Sequence, residues 1–344
     1  MKIQLLNGTV WDGEAFRRAD AETQDGRITR VAAHIAPDGD FVFDATGMIL
    51  SRGLIDVHTH LRGLSEPQWG APPELVCMPF GVTTAIEATG DQNDRAWMTA
   101  QYPDLYTFVR VDIRQNTPDF SRADARIPLY GDRCLGVKVF FDEGMSEIAD
   151  ISPLRTVCDY AHARGLHVMV HCNHSPLPMA EVAGALGAGD ILTHAYHGGK
   201  NTAAEDGFAS LRTAQARGVR IDMAPAASYH VDPAVLRAGI AAGAAPDLIG
   251  SDSTRLSMFF RGGRYGLPMA MQTARDCGMT EEAVFRAVTT TAASLIGQTR
   301  RLAVGEPADL AVFVPNGDTY SLWGKAPGYR CKLTVRAGEI AFRD

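Results

Sequence analysis

Two histidines separated by one residue close an apolar run, GLIDVHTHLRG, at His58 and His60. Side chains along a strand alternate faces with period 2, so the pair points one way and can grip one object together. Four more polar residues end or interrupt similar runs: Lys138 in CLGVKVFF, His171 in GLHVMVHC, His194 in GDILTHAY and Asp252 in DLIGSDS. Each alone has an ordinary explanation, since strand-end histidines bond structurally, aspartates cap helices and lysines snorkel. Together, at equivalent positions on five different runs, they are poorly explained by coincidence. Imidazole and carboxylate suit zinc and its divalent neighbours better than magnesium or calcium, which prefer all-oxygen shells.

Lys138 is the odd member. An ammonium between valine and phenylalanine is costly to desolvate without a partner, and burial lowers its pKa and exposes a neutral amine. A neutral amine adds carbon dioxide to give a carbamate, a carboxylate on a lysine stem that can bridge two cations. Two divalent ions so bridged lower the pKa of a shared water toward ~7, and the resulting hydroxide makes the set a hydrolase site.

The elements that must position these residues are legible as eight strand-like apolar runs with helical stretches between them: GLIDVHTH, GVTTAIEA, LYTFVRVDI, CLGVKVFF, GLHVMVHC, GDILTHAY, GVRIDMAP and DLIGSDS. This rhythm predicts an α/β fold, a closed (β/α)8 TIM barrel whose chemistry sits at the C-terminal strand ends. A doubly wound open sheet is the alternative, but no GxGxxG follows a strand and opens a helix. The two chain ends read differently, as short apolar runs punctuated by turn signals. Neither has enough strands to stand alone, so they are expected to pair as a small β-sandwich domain of residues 1–51 and 303–344, with residues 52–302 forming the barrel.

The 344 residues are 46% hydrophobic and 21% charged, an ordinary globular composition. A net charge of −7 without a basic cluster leaves no footprint for nucleic acid or an anionic membrane, so a small-molecule substrate is the expected partner. The chain shows no leader pattern and no membrane-length apolar run, and it reads as soluble and cytoplasmic. Six cysteines scattered without CxxC spacing fit reduced thiols better than a disulfide framework or a thiolate zinc site.

In order and spacing, GLIDVHTHLRG, GVKVFF, VMVHCNHSP, DILTHAYHGGKN and LIGSDST resemble the amidohydrolase superfamily, as do the closing GEPADLAVF and LTVRAGEIAF. The resemblance is to its binuclear, carboxylated-lysine branch of dihydroorotases, hydantoinases, isoaspartyl dipeptidases and N-acyl amino-acid deacetylases. Within it, the stretch from Val170 to Asn201 looks most like a deacetylase-type subgroup often labelled dihydroorotase. The resemblance implies two divalent ions, zinc first. His58 and His60 would hold the more buried ion, His171 and His194 the more exposed one, and carbamylated Lys138 would bridge both. Asp252 would ligate the buried ion and carry the proton from water to the leaving nitrogen. It also suggests a homo-oligomer.

Amide or ester hydrolysis of a small, carboxylate-bearing N-acyl or O-acyl compound, with a metal-bridging hydroxide as nucleophile, is the leading expectation. Ring opening of a cyclic amide or imide is the second, favoured by Arg62 in HLR and opposed by the departure from HLREPG to HLRGLSEP. A dead barrel scaffold would show eroded ligands, and a mononuclear deaminase would generally lack the lysine. Arg62 and Arg255 are candidates to fork a carboxylate, and His197, Tyr229 and His230 to touch substrate, while His174 reads as structural or as a support behind the groups that touch metal or substrate. Residues 258–268, MFFRGGRYGLP, read as a lid or a subunit contact.

Overall fold

In the computed structural model, residues 1–101, 103–259, 265–317 and 328–344 are described. The amino terminus lays down β1 (Ile3–Trp11), β2 (Phe16–Gln24), β3 (Arg27–Ala32), β4 (Phe41–Asp44) and β5 (Ile49–Arg52). The middle of the chain follows with β6 (Leu54–Thr59), β7 (Val82–Gly90), β8 (Asp104–Arg114), β9 (Thr117–Asp119), β10 (Cys134–Phe140), β11 (His167–His171), β12 (Ile191–Thr193) and β13 (Arg220–Asp222). The carboxyl terminus returns with β14 (Leu310–Gly317), β15 (Gly328–Arg336) and β16 (Glu339–Arg343).

The two ends meet where β14 pairs antiparallel with β5, Leu310 opposite Arg52. Where a sandwich is expected, hydrogen bonding runs through all eight terminal strands in the order β16-β15-β14-β5-β1-β2-β3, with β4 also on β1. The continuity comes from β1, which pairs with β4 along its first half and with β5 along its second, on either side of an irregularity between Leu5 and Gly8. Ile3, Leu5, Val10, Ile28, Leu50, Val312, Leu333 and Val335 bury one shared core.

The middle strands run parallel in the order β6-β7-β8-β10-β11-β12-β13, with β9 folded back antiparallel on β8. Their near-continuous apolar runs are buried because helices cover the outside. Parallel bridges Asp222↔Leu248 and Thr59↔Ser253 close the ring, so residues 248–253 take the eighth position. That run is not a regular strand because Asp252 has φ 51°, which breaks the extended backbone. Ile55, Ile86, Phe108, Met169, Ile191 and Leu248, drawn from around the ring, pack in one cluster inside it. Among the described residues no helix is long and apolar enough to cross a membrane. All six cysteines are buried free thiols.

Buried charge ties the barrel to the terminal sheet. Arg300, 2% exposed, donates to Thr83 Oγ1 and Thr84 Oγ1 on β7 (3.1 and 2.5 Å) and pairs with Asp309 Oδ2 at 3.4 Å. Asp309 Oδ1 also accepts from the Ala337 backbone at 2.8 Å and from Arg336 at 3.3 Å. Removing one partner of such a pair strands a buried charge. Asp309→Ala is therefore expected to cost about 3–5 kcal/mol, read as a lower urea midpoint; an unchanged midpoint would show that the network contributes nothing.

Candidate metal centre

The six residues singled out by type and spacing, His58, His60, Lys138, His171, His194 and Asp252, all line one cavity of about 500 Å³. His58 lies near the end of β6, His171 ends β11, His194 follows β12, and Lys138 lies within β10. Backbone bonds from Asp252 to His58 O (2.7 Å) and from His60 to Ser253 O (3.0 Å) fasten the end of β6 to the closing run. Gly250 permits this approach, because a Cβ there would stand 2.4 Å from His58 Cβ. Its amide donates to Asp222 Oδ1 at 2.8 Å.

Neighbouring acceptors fix how each imidazole presents itself. His58 Nδ1 lies 3.0 Å from Asp222 Oδ2, and a carboxylate only accepts, so Nδ1 carries the proton and Nε2 offers a lone pair. That Nε2 is 3.2 Å from Lys138 Nζ and 3.7 Å from Asp252 Oδ1. His194 Nδ1 donates to the Ala224 carbonyl at 2.8 Å, which leaves its Nε2 bare in the same way. His60 Nδ1 meets Thr89 Oγ1 at 3.1 Å, while its Nε2 is 3.2 Å from Asp252 Oδ1. Orienting partners of this kind set the tautomer and basicity of metal-binding histidines. Asp222, the Ala224 carbonyl and Thr89 escaped sequence reasoning, although Asp222 interrupts the run GVRIDMAP as visibly as Lys138 interrupts its own.

The electrostatics fit a cation. Burial draws the Lys138 amine down to about 8, against the pull of Asp252, Asp222 and Glu87, and no ion pair joins it to a carboxylate among the described residues. Burial lowers His171 to about 4 and drives His194 well below the ordinary imidazole range. Burial acts to raise the Asp252 carboxyl, but His58 and His60 outweigh it and hold it well below the usual carboxylate range. Burial likewise acts to lower His60, and the Asp252 and Glu87 carboxylates instead raise it to about 9. His171 Nε2 and His194 Nε2 are buried without a hydrogen-bond partner, a cost of about 1–3 kcal/mol each that a bound cation would relieve. Ligand atoms of His58, His194 and Asp252 lie within 4.8 Å of one another, as do those of His171, His194 and His230. The donor set therefore fits divalent metal.

The expected substrate contacts divide. Tyr229 and His230 line the cavity, Tyr229 at its rim with 60% exposure. Arg62 does not line it: Glu74 captures its Nη2 at 2.6 Å on the surface. Arg255 does not either, since its backbone amide binds Trp69 O and its guanidinium donates to Pro67 O at 3.3 Å. His197 is buried beside His174, ring centroids 5.9 Å apart, and takes the Gly199 amide on Nδ1. Among the described residues, the arginines that do face the cavity are Arg110 on β8 and Arg122 on the helix Ser121–Tyr130. Arg110 donates Nε to Asp112 Oδ1 at 2.6 Å and lays its guanidinium 5.0 Å over the Phe140 ring. Arg122 lies 3.5–3.6 Å from carboxylate oxygens of Glu66, Asp91 and Asp112. The signal for Arg110 was present: it interrupts FVRVDI as Lys138 interrupts GVKVFF, and the two are register partners. Of the 258–268 segment, residues 260–264 lie outside the described residues.

Comparison with known proteins agrees with this geometry. A family profile described as Amidohydrolase family matches residues 140–340. A protein named deacetylase from Agrobacterium fabrum is 27% identical over 322 residues, spanning 84% of this chain and 76% of its own. A dihydroorotase from Solibacter usitatus is 47% identical over 189 residues, 50% of this chain and 42% of its own. The crystal structure of a dihydroorotase superposes with a TM-score of 0.85 at 21% identity, covering 100% of this chain and 98% of that one, a likeness of fold.

Proposed function

The chain belongs to the amidohydrolase family, and from that premise we propose that it is a cytoplasmic, binuclear metal-dependent hydrolase cleaving the amide or ester bond of a small, carboxylate-bearing N-acyl or O-acyl compound. Six candidate ligands converging on a cavity that also receives Arg110 and Arg122 carry this reading. Residues 52–302 are taken as the hydrolase barrel, with the terminal segments 1–51 and 303–344 as its small β domain.

When bound, the two divalent ions supply Lewis acidity and a nucleophile drawn from water at neutral pH. His58 and His60 would hold the more buried ion, His171 and His194 the more exposed one, and Lys138, as its carbamate, would bridge them. The lowered basicity of Lys138 supports that modification, because only the neutral amine adds carbon dioxide. Asp252, held ionised, accepts the proton of the attacking water and delivers it to the leaving nitrogen. Arg110 and Arg122 clamp the substrate carboxylate, while the exposed apolar side chains of Trp69, Met145 and Leu256 receive the rest of the molecule.

Ring opening of a cyclic amide is the second reading, favoured by the 47% identity to a dihydroorotase over half of the chain. Protein loaded with zinc and bicarbonate separates the two on a panel of N-acetyl amino acids, acetyl esters, dihydroorotate and hydantoins, scored for acetate release and for loss of ring absorbance. Acetate release is expected, and activity confined to cyclic substrates would overturn the first reading. A charge-assisted bond is worth about 1.5–3 kcal/mol, so Arg110→Met should raise KM roughly 10- to 100-fold for the carboxylate substrate. A substrate lacking the carboxylate should be unaffected, and an equal loss on both would remove Arg110 from substrate recognition.

A further inference from the structure

His230 stands closer to the candidate ligands than a substrate contact needs to. Its ring centroid is 4.1 Å from that of His194 and 5.0 Å from that of His171, and these two are 4.5 Å apart. All three histidines are buried and offer ligand atoms within 4.8 Å of one another. His171 Nε2, His194 Nε2 and His230 Nδ1 are buried without hydrogen-bond partners. The neighbouring anions do not satisfy the group by hydrogen bonding: Asp142 Oδ2 stands 3.5 Å from His171 Nε2, and Asp252 Oδ2 lies 3.6 Å from His230 Nε2 and 3.9 Å from His194 Nε2. Three imidazoles packed against each other would repel as cations and waste their lone pairs as neutral rings. A divalent ion among them removes both costs.

The backbone that delivers His230 is held in an unfavourable shape. Ala224, Ala226 and Ala227 have φ of 35°, 46° and 65°, a region costly for residues with a Cβ. The turn is fastened by Tyr229 and His230 amides donating to Pro225 O at 3.1 and 3.2 Å. Its first carbonyl, on Ala224, is the one that sets the His194 tautomer. One strained loop thus both aims the lone pair of His194 and brings in a third imidazole. From this geometry we infer that His230 is a third histidine ligand of the metal held by His171 and His194. This rests on the two-metal reading of the site and extends it by a residue outside the six candidate ligands.

The test titrates metal-free protein with Zn²⁺ and with Co²⁺ in bicarbonate buffer and compares the parent with His230→Ala and His230→Asn, the second being a smaller change in shape and a poorer ligand. The parent should take up two ions per chain. Both variants should bind the weaker of the two at least 10-fold less tightly, keep the tighter one within about 2-fold, and alter the visible cobalt spectrum of the weaker site. Should His230→Ala fail to fold, His230→Asn decides alone. Unchanged affinity and an unchanged cobalt spectrum in a folded variant would overturn the inference and leave His230 as a substrate contact. A parent that takes up no second ion would instead bring down the two-metal reading beneath it.

Discussion

Asp252→Asn is expected to lower kcat by roughly 10²–10⁴-fold, the usual worth of a positioned proton-transfer group. Asparagine keeps the shape and one oxygen near His60 Nε2, now 3.2 Å away, but its amide neither accepts the proton of an attacking water nor returns it to a leaving nitrogen. The effect should fall on kcat more than on KM, because the interaction is made in the transition state. It should also be smaller for an activated ester than for an amide, since a good leaving group needs less protonation. A kcat within about threefold of the parent on the amide would assign proton transfer to another group.

Lys138→Ala and Lys138→Met are the second large effect, an expected loss of roughly 10³-fold or more, the several kcal/mol that a metal-bridging ligand supports. Stability should move the other way. Lys138 is 1% exposed, and its near contacts are His58 Nε2 and Met169 Sδ, both at 3.2 Å. Replacing a buried ammonium that lacks a carboxylate partner with an apolar chain of similar volume is often neutral or stabilising. Metal-free Lys138→Met should therefore unfold at or above the parent midpoint while being inactive. Short carboxylates such as acetate or propionate should restore part of the Lys138→Ala activity by filling the gap with an oxygen ligand. Full activity in either variant would dissociate Lys138 from the reaction and revive a single-metal reading.

The contrast between what the chain announced and what it concealed has physical causes. His58, His60, Lys138, His171, His194 and Asp252 were legible because strand alternation fixes direction, and polar groups at the ends of apolar runs have few other reasons to be there. All eight runs lie around the ring, although the last makes only bridges because Asp252 leaves extended geometry. Loop residues were less readable, since local sequence does not say where a long side chain goes once it leaves a strand. Arg62 was drawn off by Glu74, and Arg255 by Pro67, while Arg110 and Arg122 reached the cavity from a strand and from a helix far along the chain. Arg110 was overlooked because an arginine two residues before Asp112 in LYTFVRVDI reads as half of a local ion pair until its register beside Lys138 is known. His230 was legible as a substrate contact and not as a ligand, because its approach to His171 and His194 depends on three alanines, Ala224, Ala226 and Ala227, held at positive φ.

Metal content per chain is the most direct test of the central claim. Protein grown with zinc and bicarbonate is purified without chelator and compared by elemental analysis with Lys138→Ala prepared alongside. About two ions per chain in the parent, with a clear loss in the variant, is the expected result for a two-metal site. Near-zero metal in both would contradict it and leave the histidines of this cavity as no more than structural side chains.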